Sequence, residues 1–164
     1  MLLYILRHGE AETEDAIPDE KRALTTEGTI NLKHTARAIV RMELRFDEVY
    51  CSPLLRARQT AEIILKSMKD KPKLTETELL VNGADFGKLF SLLGKHSEKS
   101  AVLLVGHEPY LSRLISMFIV GNTRATVEMK KGGLACVHVH HPVTSGLGEL
   151  RYLLTPHLLR LLEG

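Results

Sequence analysis

Three short stretches combine residue types that could carry out chemistry. The first is Arg7-His8-Gly9, directly after the apolar run 2–6. The second is Ser52-Pro53, with Arg56 close behind, after the strand-like segment 47–51. The third is Gly106-His107-Glu108-Pro109, after "AVLLV" at 101–105. Arginine presents a planar fork that matches phosphate oxygens bidentately and stays charged at any working pH. Two such forks could neutralise the equatorial oxygens of a phosphoryl group in transfer. Neutral imidazole, with an unperturbed pKa of about 6.5, is a competent nucleophile toward phosphorus. Gly9 would let the backbone pass close to a ligand. A helix starting near Glu108 would add N–H donors at its positive end. Arg7, His8, Arg56 and His107 together have the composition of a site that binds and transfers a phosphoryl group.

For these residues to meet, the segments before them must lie in one sheet. Residues 2–6 and 101–105 are short and apolar throughout, as buried strands are, and 47–51 and 73–76 read as two further short strands. Between them the apolar spacing is helical. Leu32, Ala36, Ile39 and Val40 share a face after Thr26, and Leu54, Ala57, Ala61, Ile64, Leu65 and Met68 form a second stripe. Ser52-Pro53 reads as the cap and first position of that second helix. A helix at 85–93, capped by Asp85 and stopped by Gly94, and another at 108–120 follow. "LACVHVH" at 134–140 and "ELRYLL" at 149–154 read as strands joined by a hairpin through Gly146 and Gly148, with a short helix at 158–162 after them. Strands alternating with helices predict a three-layer α/β/α sandwich, with a mostly parallel sheet and an antiparallel edge. In such open sheets ligands bind beyond the carboxyl ends of the strands, where all three stretches fall. Nothing marks a linker or repeat, so residues 1–164 read as a single domain. Residues 9–25, rich in Glu and Asp, show no periodicity and read as a long loop, either solvated or tuned to repel small polyanions.

Composition narrows the function classes. A net charge of +2 argues for neither nucleic acid nor an acidic membrane surface as partner. No apolar run approaches a membrane span, and two cysteines make no disulfide framework, which points to the cytoplasm. Arg58 competes with Arg56, but it sits beside the apolar stripe, whereas Arg56 lies about half a turn from it. A cysteine-dependent phosphatase would need Cys51 and Arg56 one residue further apart than they are. His138 and His140 share a strand face, as metal ligands might, but no Asp or Glu cluster accompanies them in sequence, so no metal is expected. A non-catalytic phosphate-binding protein with the same pocket residues is the remaining class.

"LRHGEAE", "RALTTEG", "CSPLLRARQTAEII" and "LLVGHEP", in this order, resemble the histidine phosphatase superfamily, with its phosphoglycerate-mutase-like fold. The short chain and motif texture look most like the SixA phosphohistidine phosphatase branch. The resemblance implies a cofactor-free phosphatase in which His8 is the nucleophile and forms a phosphohistidine intermediate. It implies Arg7, Arg56 and His107 as the phosphate pocket, with Gly9 at the ligand and Arg22 near it, either at the site or anchoring the 9–25 loop. The substrate would be a phosphorylated protein or a small phosphorylated molecule. Larger members of the superfamily, the mutases and sugar phosphatases, carry a glutamate general acid between the second and third motifs. Here Glu76, Glu78 and Asp85 lie in that region without matching it. Acid catalysis is commonly worth about 10²–10⁴-fold for expelling an alkoxide. An imidazole leaving group can carry its own proton near neutrality, so a missing acid favours phosphohistidine or another phosphoramidate.

Overall fold

Apolar residues alternate between two faces along the central strands, and each face has its own core. In β1 (Leu2–Arg7), Leu3 and Ile5 point to one side and Tyr4 and Leu6 to the other. In β4 (Ala101–Gly106), Val102 and Leu104 join the first core and Leu103 and Val105 the second. Each fully buried leucine or isoleucine stabilises by roughly 1.5–3 kcal/mol, which is why these runs need helices on both faces. The computed structural model describes residues 1–13 and 16–164; Glu14 and Asp15, part of the acidic stretch 9–25, lie outside the described residues.

The remaining elements are α1 (Thr26–Arg41), β2 (Glu48–Cys51), α2 (Leu55–Ser67), β3 (Lys73–Glu76), α3 (Phe86–Leu93), α4 (Tyr110–Val120), β5 (Leu134–Val139), β6 (Gly148–Leu154) and α5 (Pro156–Leu162). The sheet runs β3-β2-β4-β1-β5-β6. β1 to β4 are mutually parallel where they pair, and β5 is antiparallel to both β1 and β6. The α/β/α sandwich with an antiparallel edge is therefore the observed architecture. Helices α1 and α2 cover the Tyr4/Leu6 face, while α3 and α4 cover the Leu3/Ile5 face. The connections leaving β1 and β4 thus diverge to opposite faces, and this opens a crevice at the carboxyl ends of those adjacent strands. Among the described residues, no helix is long and apolar enough to cross a membrane.

Several boundaries differ from the sequence reading for identifiable reasons. Helix α2 starts at Leu55, not at Pro53, because the backbone is still extended at Leu54 (φ −65°, ψ 135°), although the Ser52 hydroxyl does accept from the Leu54 amide. Helix α4 starts at Tyr110, two residues later than expected. Val40 is exposed, so the α1 stripe is narrower than its apolar residues suggest. The 9–25 stretch is not featureless: it holds a 3₁₀ turn at Asp19–Lys21 and a bridge between Ala11 and Leu24. Asp85 does cap α3, accepting from the Lys88 amide at 3.0 Å.

Two glycines bring the end of β1 against α1. A Cβ on Gly28 would lie 2.1 Å from the Glu10 carbonyl oxygen, and one on Gly9 would lie 2.6 Å from Leu32 Cδ1. Close packing against Leu32 of α1 is therefore one reason for a glycine at 9. Because the obstacle at 28 is backbone, Gly28→Ala should force the strand end and helix apart. The expected loss is about 1–3 kcal/mol, as for overpacked cores, measured as a fall in the denaturant midpoint at unchanged m-value.

Candidate active site

The crevice between β1 and β4 holds the sequence-predicted residues. Parallel pairing ends with Arg7 opposite Gly106, and the His8 amide then donates to the Gly106 carbonyl at 3.1 Å. His8 and His107 consequently stand side by side, with ring centroids 4.9 Å apart. Both are buried, at 7% and 2% exposure. Arg56 enters from the first turn of α2 and is 9% exposed. Arg58, the competing arginine, points away and pairs with Glu76 at 3.6 Å.

His8 Nδ1 lies 2.7 Å from the Gly9 carbonyl oxygen. A carbonyl can only accept, so Nδ1 carries the proton and Nε2 keeps its lone pair. Burial holds the His8 imidazole down at about 4, helped by the charges of Arg56, Arg7 and Lys131 and opposed by the Gly9 hydrogen bond. Burial also holds His107 at about 3, with His8, Arg56 and Arg7 adding to the effect and Asp19 opposing it. Both rings are neutral at physiological pH. The pocket's positive charge therefore comes from Arg56, Arg7 and Lys131 and not from the imidazoles, and Nε2 of His8 is free to act as a nucleophile.

The elements that hold these side chains are partly ones the sequence reading missed. Ser52 Oγ sits 2.7 Å from His107 Nε2 and accepts from the Leu54 amide at 3.3 Å. A hydroxyl that donates to Nε2 leaves the proton of His107 on Nδ1, available to an acceptor. Thr60 on α2 accepts the Gly9 amide at 3.2 Å and donates to the Arg56 carbonyl at 2.7 Å, tying the strand end to the helix that supplies Arg56. Behind β1, the segment before β5 completes the frame. Arg7 Nη1 donates to the Met129 carbonyl at 2.7 Å, and the Gly132 amide donates to the carbonyls of Arg7 and His8. The serine followed by proline looked like a helix cap, and residues 129–133 carry no motif, so neither role had a local signature.

The acidic loop reaches into the site through Asp19. Arg56 donates from Nη1 to the Asp19 carbonyl at 2.6 Å and from Nη2 to its carboxylate at 3.1 Å. Partial burial would raise the Asp19 carboxyl, but Arg56, with Arg22 and His107, brings it below its ordinary value. It is thus ionised. Arg22 lies 3.7 Å from the same carboxylate and donates to the Ile17 carbonyl at 3.3 Å, so its visible partners belong to the loop. Glu78 is exposed after β3, and Asp85 is occupied by its cap. Arg7 Nε and His107 Nδ1 are buried with no hydrogen-bond partner among the described residues. Two buried donors beside a lone-pair nucleophile and a second guanidinium suit a tetrahedral oxyanion.

A family profile described as the histidine phosphatase superfamily (branch 1) matches residues 3–89. The chain belongs to the histidine phosphatase superfamily. Among similar members, an uncharacterised protein of Picosynechococcus is 34% identical over 137 residues, covering 82% of each chain. The phosphohistidine phosphatase SixA of Escherichia coli is 28% identical over 125 residues, covering 75% of this chain and 77% of its own. A solved structure of the protein histidine phosphatase SixA with tungstate superposes with a TM-score of 0.84 at 24% identity, covering 96% of this chain and 98% of that one.

Two sequence-level alternatives meet the structure in different ways. Cys51 is fully buried on β2, and burial, with Glu76 and Glu62 nearby, pushes its thiol up to about 12, the wrong direction for a thiolate nucleophile. His138 and His140 do share a face, and although no cluster of Asp or Glu stands beside them in sequence, one carboxylate, Glu149 of β6, joins them.

The imidazole shifts carry a sign. Unfolded His8 and His107 take up protons near about 6.5; folded, they refuse them until about 4 and about 3. Their contribution is thus without penalty above the unfolded value, and stability should fall progressively as the pH drops from there. By NMR of the ring nitrogens, His8 should remain the neutral Nδ1–H form from about pH 8 to about pH 5, with no midpoint near its unperturbed value. A titration centred near that value would contradict the burial argument.

Proposed function

We propose that this member of the superfamily is a phosphatase acting through a covalent phosphohistidine on His8, with protein phosphohistidine as its substrate class. The observation that carries the reading is the His8 tautomer, whose Nδ1–H is committed to Gly9 and whose Nε2 lone pair lies in a pocket with Arg7, Arg56 and His107. In the first step the Nε2 lone pair attacks phosphorus and forms a P–N bond. The bond to the leaving group breaks, and the electron pair goes to that group. Arg7 and Arg56 bear the charge on the equatorial oxygens, and His107 donates to one of them from Nδ1. Water then attacks phosphorus, loses a proton to solvent, and expels His8 with release of inorganic phosphate.

Substrate class follows from proton supply. The carboxylate nearest the arginines, Asp19, is ionised and held by Arg56, and Asp85 is spent on a helix cap. Neither is a ready acid for an alkoxide. A phosphoimidazole can already carry a proton on its second ring nitrogen near neutrality, where imidazole titrates at about 6.5, and so leaves as neutral imidazole without a dedicated acid. Likeness to the Escherichia coli SixA supports the same class. Cys51 and Cys136 are buried free thiols, which suits a reducing cytoplasm as the place of action. Residues 1–164 act, on this reading, as one catalytic domain.

Incubation with a phosphohistidine-bearing protein should release phosphate and leave an acid-labile phosphoenzyme that is absent from His8→Ala. Phosphomonoesters should turn over at least about 10²-fold more slowly, the low end of what a missing acid costs. High turnover of a monoester with phosphohistidine untouched would overturn the substrate class. Cys51→Ser should keep nearly full activity in the same assay.

A further inference from the structure

We propose that His138, His140 and Glu149 form a binding site for a borderline divalent transition-metal ion such as Zn²⁺, Cu²⁺ or Ni²⁺, separate from the phosphoryl site. The three side chains come together through strand register. His138 and His140 are two residues apart and so project from one face of β5 and its continuation. Their rings stand 4.5 Å apart, centroid to centroid. Glu149 reaches the same face because of an irregularity in the β5–β6 ladder. The pairs Leu134–Leu154, Ala135–Leu153 and Cys136–Tyr152 give way to Val137–Leu150 and His138–Glu149, leaving Arg151 as the extra residue. With an unbroken register His138 would face Leu150, and Glu149 would project from the opposite side of the sheet. The bulge therefore aims a carboxylate at two imidazoles.

The geometry and chemistry suit a cation of this class. One ligand atom from each residue lies within 4.8 Å of the others. Bonds of about 2.0–2.2 Å need ligand atoms closer than that by roughly 1 Å, a movement that rotation of the exposed His140 and Glu149 side chains toward the half-buried His138 can make. His140 Nε2 is 3.1 Å from Glu149 Oε1, and His138 Nδ1 is 4.0 Å from Oε2. His138 Nδ1 is buried and has no hydrogen-bond partner among the described residues, so a lone pair there is uncommitted. Imidazole nitrogen with a single carboxylate favours Zn²⁺, Cu²⁺ and Ni²⁺ over the hard cations, which demand oxygen donors. Two positive groups among the described residues oppose the ion: Arg151, 2.9 Å from Glu149 Oε2, and the terminal amine of Met1, which adds to desolvation in disfavouring protonation of His138.

The site is remote from the chemistry. His138 pairs with Leu2 at the start of β1, whereas His8 follows its end, about 20 Å along the strand at 3.3 Å per residue. An ion here would tie β5 to β6 without touching the phosphoryl group. Tag-free, chelator-stripped protein titrated with Zn²⁺ by calorimetry should bind one ion per chain. Affinity should weaken by about tenfold or more in His140→Ala and in Glu149→Gln, and tighten in Arg151→Ala as the competing guanidinium goes. Cu²⁺ spectra should show coupling to two nitrogens in wild type and one in His138→Ala, while phosphatase activity of these variants stays at the wild-type level. Failure of the wild type to bind Zn²⁺, or undiminished affinity in His138→Ala/His140→Ala, would overturn the assignment. The latter result would place the ion elsewhere, as at the His8–His107 pair.

Discussion

Six consecutive parallel pairs between β1 and β4, from Leu2–Ala101 to Arg7–Gly106, are the constraint on which the rest depends. They bring residues 8 and 107 to adjacent positions although almost a hundred residues separate them. The register is not held by the site. Leu3 and Ile5 are buried in one core and Tyr4 and Leu6 in the other, as are their β4 counterparts. A slip of one residue would turn all of them to the wrong face, at roughly 1.5–3 kcal/mol for each large side chain. No polar interaction in the pocket approaches that sum, so apolar packing sets the histidine geometry.

Against that rigid frame the pocket carries an unfavourable polar arrangement. Two imidazoles are desolvated beside two guanidiniums, and two donors, Arg7 Nε and His107 Nδ1, stay unpaired among the described residues. Each unpaired buried donor costs about 1–3 kcal/mol. The same features keep His8 neutral with its lone pair on Nε2 and leave donors for oxyanion oxygens. Asp19 offsets part of the positive charge by lying on Arg56, which makes the 9–25 loop part of the pocket's electrostatics. Its ionised state suits Asp19 to charge balance.

The frame draws on more of the chain than the motifs do. Met129 and Gly132 hold Arg7 and His8 from behind, and Thr60 joins the Gly9 amide to the carbonyl of Arg56. Such partners were not legible beforehand because Thr60 reads as an ordinary helix residue and 129–133 as a connector. Ser52 was misread for a better reason. A serine before a proline is a good helix cap, and its oxygen does accept from the Leu54 amide, but in this fold the hydroxyl also meets His107 and the helix starts three residues later. Glu149 was missed because a bulge changes which face a residue occupies, and a bulge has no periodic signature.

By itself the sequence determined the layered α/β architecture, through runs whose period is two or 3.6, and the chemistry on offer, through Arg7, His8, Arg56 and His107 after strand-like segments. It was enough to prefer Arg56 over Arg58 and to exclude Cys51 on spacing. Only the tertiary structure decided which proton His8 carries, what holds His107, where Asp19 sits and that His138 and His140 share a carboxylate. Those properties are set by desolvation and by hydrogen bonds between distant residues, such as Ser52 and His107 or Asp19 and Arg56. Local periodicity records which way a side chain faces, but the partner it meets there is chosen by the packing of the whole sheet.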